Sequence, residues 1–347
     1  MIPLHSIEDA FQFDATLKAS KTDLQALEKK YLHPVNYSKK ALFDAMYEGY
    51  TIVFNDYPIH YPLPPGSNKI THTLNLLRNN LRKTENIYIR YGSSRTRKKV
   101  TISEVIDRWV NGRSKFGVTD LHFRDMAYFK KIDADAVSYF NLLPHFPEGV
   151  SFLEMLTLVI SSRGIFSDSH SDDGDGSNHC IVGTKLWFAW DKSEGERVGL
   201  EDCTHHPVYD QAKFSIKKFL SLKSAHWFLV TEGKTLFMPG NFTHKVVTLE
   251  PYIGFGSFYL SLPNYINSVR RWVLLQSSDA NAAFIESLNH AFLKYLRKDI
   301  PKMSAGQRTK MGFDYFLKAV KEWDKGLTKK EAATLREKAM IDAILSS

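Results

Sequence analysis

The feature that most constrains this chain is His170-Ser171-Asp172, followed 72 residues later by His244. In an extended strand successive side chains alternate between faces, so His170 and Asp172 leave the backbone on the same side. His244 stands in Phe237-Met238-Pro239-Gly240-Asn241-Phe242-Thr243-His244-Lys245-Val246-Val247. That segment reads as a strand, a Pro-Gly turn and a second strand carrying the histidine. Two imidazoles and one carboxylate on one side of a metal leave the other positions open, the donor set of non-haem Fe(II) oxygenases. A His-x-Asp pair arises often by chance, and its surroundings carry the weight.

Gly183-Thr184-Lys185-Leu186-Trp187-Phe188-Ala189-Trp190-Asp191 reads as a strand whose lysine falls 15 residues after His170. Such a lysine anchors a carboxylate as a compact point charge. Ser167 offers a hydroxyl for the same carboxylate, with an ordinary loop hydroxyl as the other reading. Taken in order, four pieces resemble the Jumonji C family of Fe(II)/2-oxoglutarate oxygenases. They are Ser167 to Asp172, Gly183 to Trp187, Glu232 to Pro239 running on to His244, and Ile253 to Leu260. The resemblance covers roughly residues 150–262. It implies that His170, Asp172 and His244 bind Fe(II), that Lys185 pairs with the far carboxylate of 2-oxoglutarate with help from Ser167, and that O2 is the oxidant.

Thr101 to Gly112 carries a helix start, with Thr101 and Glu104 as a capping box, and an Asn-Gly stop. A strand, Gly117 to Asp125, follows. This prelude is similar to that of the Jumonji C lysine demethylases acting on histone H3. Where that group has an asparagine at the strand's start, this chain has Gly117. Between Asp172 and Lys185 it carries a polar stretch of its own, Asp173 to His179, read as a loop at the mouth of the pocket. Its carboxylates Asp173 and Asp175, with Asp168, suit a cationic substrate side chain. Asn178 has two readings, a polar contact near the co-substrate and a surface loop residue.

Of 347 residues, 43% are hydrophobic, ample for a core, and no run of 18 apolar residues predicts a membrane span. The N-terminus lacks a basic stretch followed by an apolar one, so a secretory signal is not expected. Two cysteines in no Cys-x-x-Cys pattern argue against a disulfide scaffold, and Cys203, His205 and His206 have no common zinc spacing. A net charge of +8 favours an acidic or nucleic-acid-associated partner. The densest basic run, Arg95-Thr96-Arg97-Lys98-Lys99, reads as a nuclear import signal, a phosphate contact or a solvated loop. An intracellular, soluble and nuclear protein is the resulting expectation.

The expected architecture is mainly β with α additions: a double-stranded β-helix of jelly-roll or cupin type at residues 150–275, a mixed α/β lead-in at 1–149, and a C-terminal helical bundle at 276–347. In that bundle Phe284, Leu288, Phe292 and Leu296 repeat every four residues, and Phe313, Phe316, Leu317, Val320 and Trp323 form a second face. A third helix is expected from Thr328. These stripes pack on the barrel or on a second subunit. The expected function is oxidation of a C–H bond on a basic protein or peptide, foremost demethylation of an N-methyl-lysine in a histone-like tail, releasing succinate, CO2 and formaldehyde. A Jumonji C protein or small-molecule hydroxylase and a catalytically silent scaffold stay open beside it.

Overall fold

A computed structural model describes residues 2–59, 66–80, 86–91, 97–112, 115–122, 139–143, 157–172, 174–200, 214–240, 242–268 and 279–322. Among them ten strands form one antiparallel system: β1 (Ile52–Phe54), β2 (Asn86–Tyr91), β3 (Arg97–Thr101), β4 (Phe116–His122), β5 (Thr157–Ser161), β6 (Phe166–His170), β7 (Asp175–Asp191), β8 (His226–Thr231), β9 (Thr235–Met238) and β10 (Phe242–Tyr259). The path runs β1-β9-β7-β10-β5-β4-β2-β3, with β6 on β10 and β8 on β7.

The two longest strands organise it, because each changes partner half-way. β7 pairs with β9 through residues 176–179 and with β8 through 184–189. β10 pairs with β6 through 244–247 and with β5 through 252–256. Gly183 sits at the β7 handover with φ 90°, and a Cβ there would stand 2.1 Å from the Pro251 carbonyl oxygen. The two backbones pass too closely for any side chain, which is why this position must be glycine.

Alternation along β7 divides its neighbours. Leu186, Phe188 and Trp190 pack with Ile7 and Ala10 of the helix His5–Phe11, Leu27 of the helix Lys21–Glu28, and Phe219 of the helix Ile216–Ser221. Trp187 and Ala189 face the other way, with Phe228, Val230, Val246 and Tyr252. Each such fully buried side chain contributes about 1.5–3 kcal/mol relative to exposure. A one-residue slip would exchange the two sets between differently shaped buried faces, so the register is strongly specified.

Local signals act as the sequence predicts. The helix Ile102–Asn111 starts on the reciprocal Thr101–Glu104 capping box and stops at Gly112, φ 59°. The helix Lys39–Glu48 stops at Gly49, φ 73°. In the lead-in, Ile52–Phe54 forms β1 and Asn86–Tyr91 forms β2, in keeping with its expected mixed α/β character.

The chain divides into two compact units. The first comprises Met1–Tyr37, Thr51–Ala134 and Met155–Ser257, and carries all the candidate site residues. The second comprises Ser38–Tyr50, Asp135–Glu154 and Phe258–Ser347. Its core joins Phe292, Tyr295 and Leu296 of the helix Asp279–Lys298 to Phe316 and Val320 of the helix Phe313–Glu322, with Leu142 and Tyr265. The helix expected from Thr328 lies outside the described residues. Among the described residues no helix is long and apolar enough to cross a membrane.

Candidate metal centre

β6 ends on His170, and its pairing with β10 sets His244 directly opposite. The two imidazole rings lie 4.2 Å apart between centroids. Beyond the end of β6, Asp172 brings Oδ2 to 3.9 Å from His244 Nε2. His244 is almost fully buried, while the Asp172 side chain keeps 34% of its exposure, so one side of the group opens to solvent. His170 Nδ1 lies 2.7 Å from the Asp168 carbonyl oxygen. A carbonyl only accepts, so Nδ1 carries the proton and Nε2 is left as a bare lone pair, the tautomer a metal requires. Trp187 walls the inner side, its ring 5.3 Å from that of His244.

The donor set fits divalent iron in kind: two imidazole nitrogens and a carboxylate, with room for further ligands. Among the described residues no three His, Cys, Asp or Glu side chains are already drawn into coordination geometry. Donors at about 2.1 Å from one ion and at right angles are about 3 Å apart, whereas the Asp172–His244 pair stands at 3.9 Å.

Lys185 and Ser167 line one small cavity with Gly117, Ile165, Val246 and Thr248. Its volume of about 30 Å³ holds about two waters, or one carboxylate end group. Lys185 is buried, and its ammonium lies 4.5 Å from the centre of the Tyr252 ring. Burial pushes its pKa down to about 8. Its polar neighbours carry no charge to offset that: burial pushes the Cys180 thiol up to about 12 and holds the Tyr252 phenol well above its ordinary value. Among the described residues no carboxylate pairs with Lys185. Gly117 forms part of the wall, where a Cβ would come within 3.3 Å of Ile165 Cγ2.

Three expectations are corrected. The stretch read as a mouth loop is strand from Asp175 onward, paired to β9. Asp175 is buried and accepts a hydrogen bond from the Gly240 amide, so it does not face a cationic substrate; Asp173 lies outside the described residues. Asn178 is no surface residue either: it is buried, and its side-chain oxygen accepts from the Tyr252 hydroxyl, the same ring that faces Lys185. Of the basic run, Arg97, Lys98 and Lys99 belong to β3, while Arg95 and Thr96 lie outside the described residues, as do Cys203, His205 and His206.

Sequence reasoning missed Lys245. Its side chain is 1% exposed and reaches Asp14 Oδ2 at 2.5 Å and Asp168 Oδ1 at 3.4 Å. It therefore ties the N-terminal segment to the strand whose backbone holds the His170 tautomer. The available signal was a lysine inside the apolar run Phe242 to Val247, where only a paired charge is tolerated. The chain matched no protein-family model, and no curated protein sequence proved similar to it.

Proposed function

We propose that this chain is an Fe(II)- and 2-oxoglutarate-dependent oxygenase of Jumonji C type, built on a double-stranded β-helix, that demethylates N-methyl-lysine in a basic peptide. The observation that carries the reading is the joint placement of His170, His244 and Asp172 at one end of the β6–β10 pair, with the buried cation of Lys185 in a cavity of the same unit. The antiparallel pairing of all ten strands, with β7 and β10 each serving several partners, supports the β-helix part of this reading.

In this reading His170 and His244 offer their Nε2 atoms and Asp172 a carboxylate oxygen. An iron(II) ion held there, with 2-oxoglutarate and O2, would supply oxidation of a substrate C–H bond and release succinate and CO2. Lys185 pairs with the remote carboxylate of the co-substrate, and the Ser167 hydroxyl donates to it. Ile165, Val246 and the Tyr252 ring keep water from that ion pair, which strengthens it. Asp168 holds the His170 ring through its carbonyl. When the oxidised carbon is an N-methyl group, the product collapses to formaldehyde and the demethylated amine.

A second reading, hydroxylation of a protein side chain or small molecule, is favoured by Gly117, which leaves the cavity wall bare where the demethylases carry asparagine. Incubation of the purified protein with Fe(II), 2-oxoglutarate and methylated lysine peptides separates the readings. Succinate with formaldehyde supports demethylation, and succinate with a stable +16 Da product supports hydroxylation. No succinate under any condition sinks both.

A further inference from the structure

Asp172 lies beyond the strand that carries His170, because β6 ends on His170 and β7 begins at Asp175. Contacts from outside the β6–β10 ladder must therefore set its place. Two lysines make such contacts, one on each side of His170.

On the C-terminal side, Lys192 Nζ donates a hydrogen bond to Ser171 Oγ at 3.2 Å. Ser171 is buried and stands between the two candidate donors. Lys192 opens the helix Lys192–Arg197, directly after β7. Its backbone is anchored there. The Asp191 amide donates to Ser224 Oγ, and Asp191 Oδ1 accepts from the Glu194 amide. Glu194 Oε2 in turn accepts from the Ser224 amide and hydroxyl. The ammonium thus reaches Ser171 from a fixed base, and only the lysine side chain has to be ordered.

On the N-terminal side, Lys245 Nζ stands 3.4 Å from Asp168 Oδ1, 2.5 Å from Asp14 Oδ2 and 5.0 Å from the centre of the Phe166 ring. Phe166 and Asp168 both belong to β6, and the Asp168 carbonyl accepts from His170 Nδ1. The Lys245 side chain is 1% exposed, so water screens these contacts little.

We infer that Lys192 and Lys245 are positioning residues of the candidate metal centre: Lys192 holds Ser171 and thereby Asp172, and Lys245 holds Asp168 and thereby the His170 ring. The inference rests on the metal-binding reading of His170, Asp172 and His244. Each lysine acts through a neighbour and not on the ion, as groups around metal ligands do when they orient the donors.

The test is Mn(II) binding to the full chain, followed by electron paramagnetic resonance, beside the imidazole nitrogen NMR spectrum of the metal-free chain. Lys192→Met and Ser171→Ala remove one contact from its two ends. Each should weaken Mn(II) binding by about tenfold, the lower end for groups around metal ligands, and the double variant should fall no further than either single one. Lys192→Arg keeps a donor and should bind nearly as the wild type does. Asp168→Ala cuts Lys245 from β6 without unpairing it, because Asp14 remains. His170, a single Nδ1–H tautomer in the wild type, should then show both tautomers, and Mn(II) affinity should fall by about tenfold. Wild-type affinity in folded Lys192→Met, or additive losses in the double variant, overturns the role of Lys192. A single tautomer retained in Asp168→Ala overturns that of Lys245. If Ser171→Ala does not fold by circular dichroism, Lys192→Met against Lys192→Arg decides. A wild type that binds no Mn(II), while Asp168→Ala still mixes the tautomers, would instead overturn the metal reading and leave the hold of Lys245 on His170 standing.

Discussion

His170 and His244, far apart in sequence, are direct partners across the β6–β10 pair, their rings 4.2 Å apart. The pairing has its only irregularity one step further on, between His244 and Val246. The lysine after His244, on the opposite face by alternation, reaches Asp14 and Asp168, while His244 keeps its place beside Asp172. The same few residues of β10 therefore serve the candidate metal face and the fold.

Replacing either histidine by alanine removes one of three donors. His170→Ala and His244→Ala should each retain less than roughly a tenth of wild-type turnover and weaken Mn(II) or Fe(II) affinity by at least roughly tenfold, the lower end seen for changes around metal ligands. Calorimetric titration with Mn(II) measures the binding directly. Wild-type affinity in either variant would remove that histidine from the site.

Lys245→Met leaves Asp14 and Asp168 buried beside a neutral side chain. Breaking such a pair costs about 3–5 kcal/mol. Adding Asp14→Asn keeps the acceptor for Thr16 but removes the orphaned charge, so the double variant should recover part of the loss. Urea unfolding of the three variants decides; independent, additive losses would mean that Lys245 and Asp14 do not interact.

What the sequence made legible follows from how local each signal is. Thr101, Glu104, Asn111 and Gly112 mark a helix within a dozen residues, and the structure places it there. The lysine strand was readable because period-two alternation fixes which side chains share a face, whereas Asp172 falls beyond the end of β6, outside the strand the His-x-Asp reading assumed. Asp175 to His179 were misread because Asp, Gly, Ser and Asn favour turns, and only pairing with β9, nearly sixty residues on, makes them a strand. Burial of Lys245 was hidden for a related reason: both of its carboxylate partners are remote in the chain, Asp14 most of all. Likewise the partner change of β7 and β10 depends on Gly183 meeting Pro251, a contact that no local pattern announces.

Gly117 sets the free space of the cavity, so Gly117→Asn tests what that space is for. A side chain built there meets Ile165 within 3.3 Å at its first atom, and overpacking of this kind costs about 1–3 kcal/mol. If the cavity receives 2-oxoglutarate, its KM should rise roughly tenfold, while Gly117→Ala should cost far less. An unchanged KM in the asparagine variant, with stability intact, would place the co-substrate elsewhere.

Lys185 yields a prediction with a pH signature. Burial lowers its pKa from an ordinary 10.5 to about 8, so above pH 8 the folded chain without ligand holds a neutral amine there. A carboxylate ligand needs the ammonium, so the KM for 2-oxoglutarate in the wild type should climb as pH rises past 8. Stability runs the opposite way. Between pH 8 and 10.5 the unfolded chain binds a proton that the folded chain does not, so this group's contribution to stability increases with pH over that window and is least favourable below it. Lys185→Ala removes the charge-assisted contact, worth about 1.5–3 kcal/mol, and should raise KM by about 10- to 100-fold at pH 7. Its KM should then be flat from pH 7 to 9, with Mn(II) affinity unchanged. A wild-type KM that stays level across pH 8, or an alanine variant that binds 2-oxoglutarate as well as the wild type, would show that Lys185 does not hold the co-substrate.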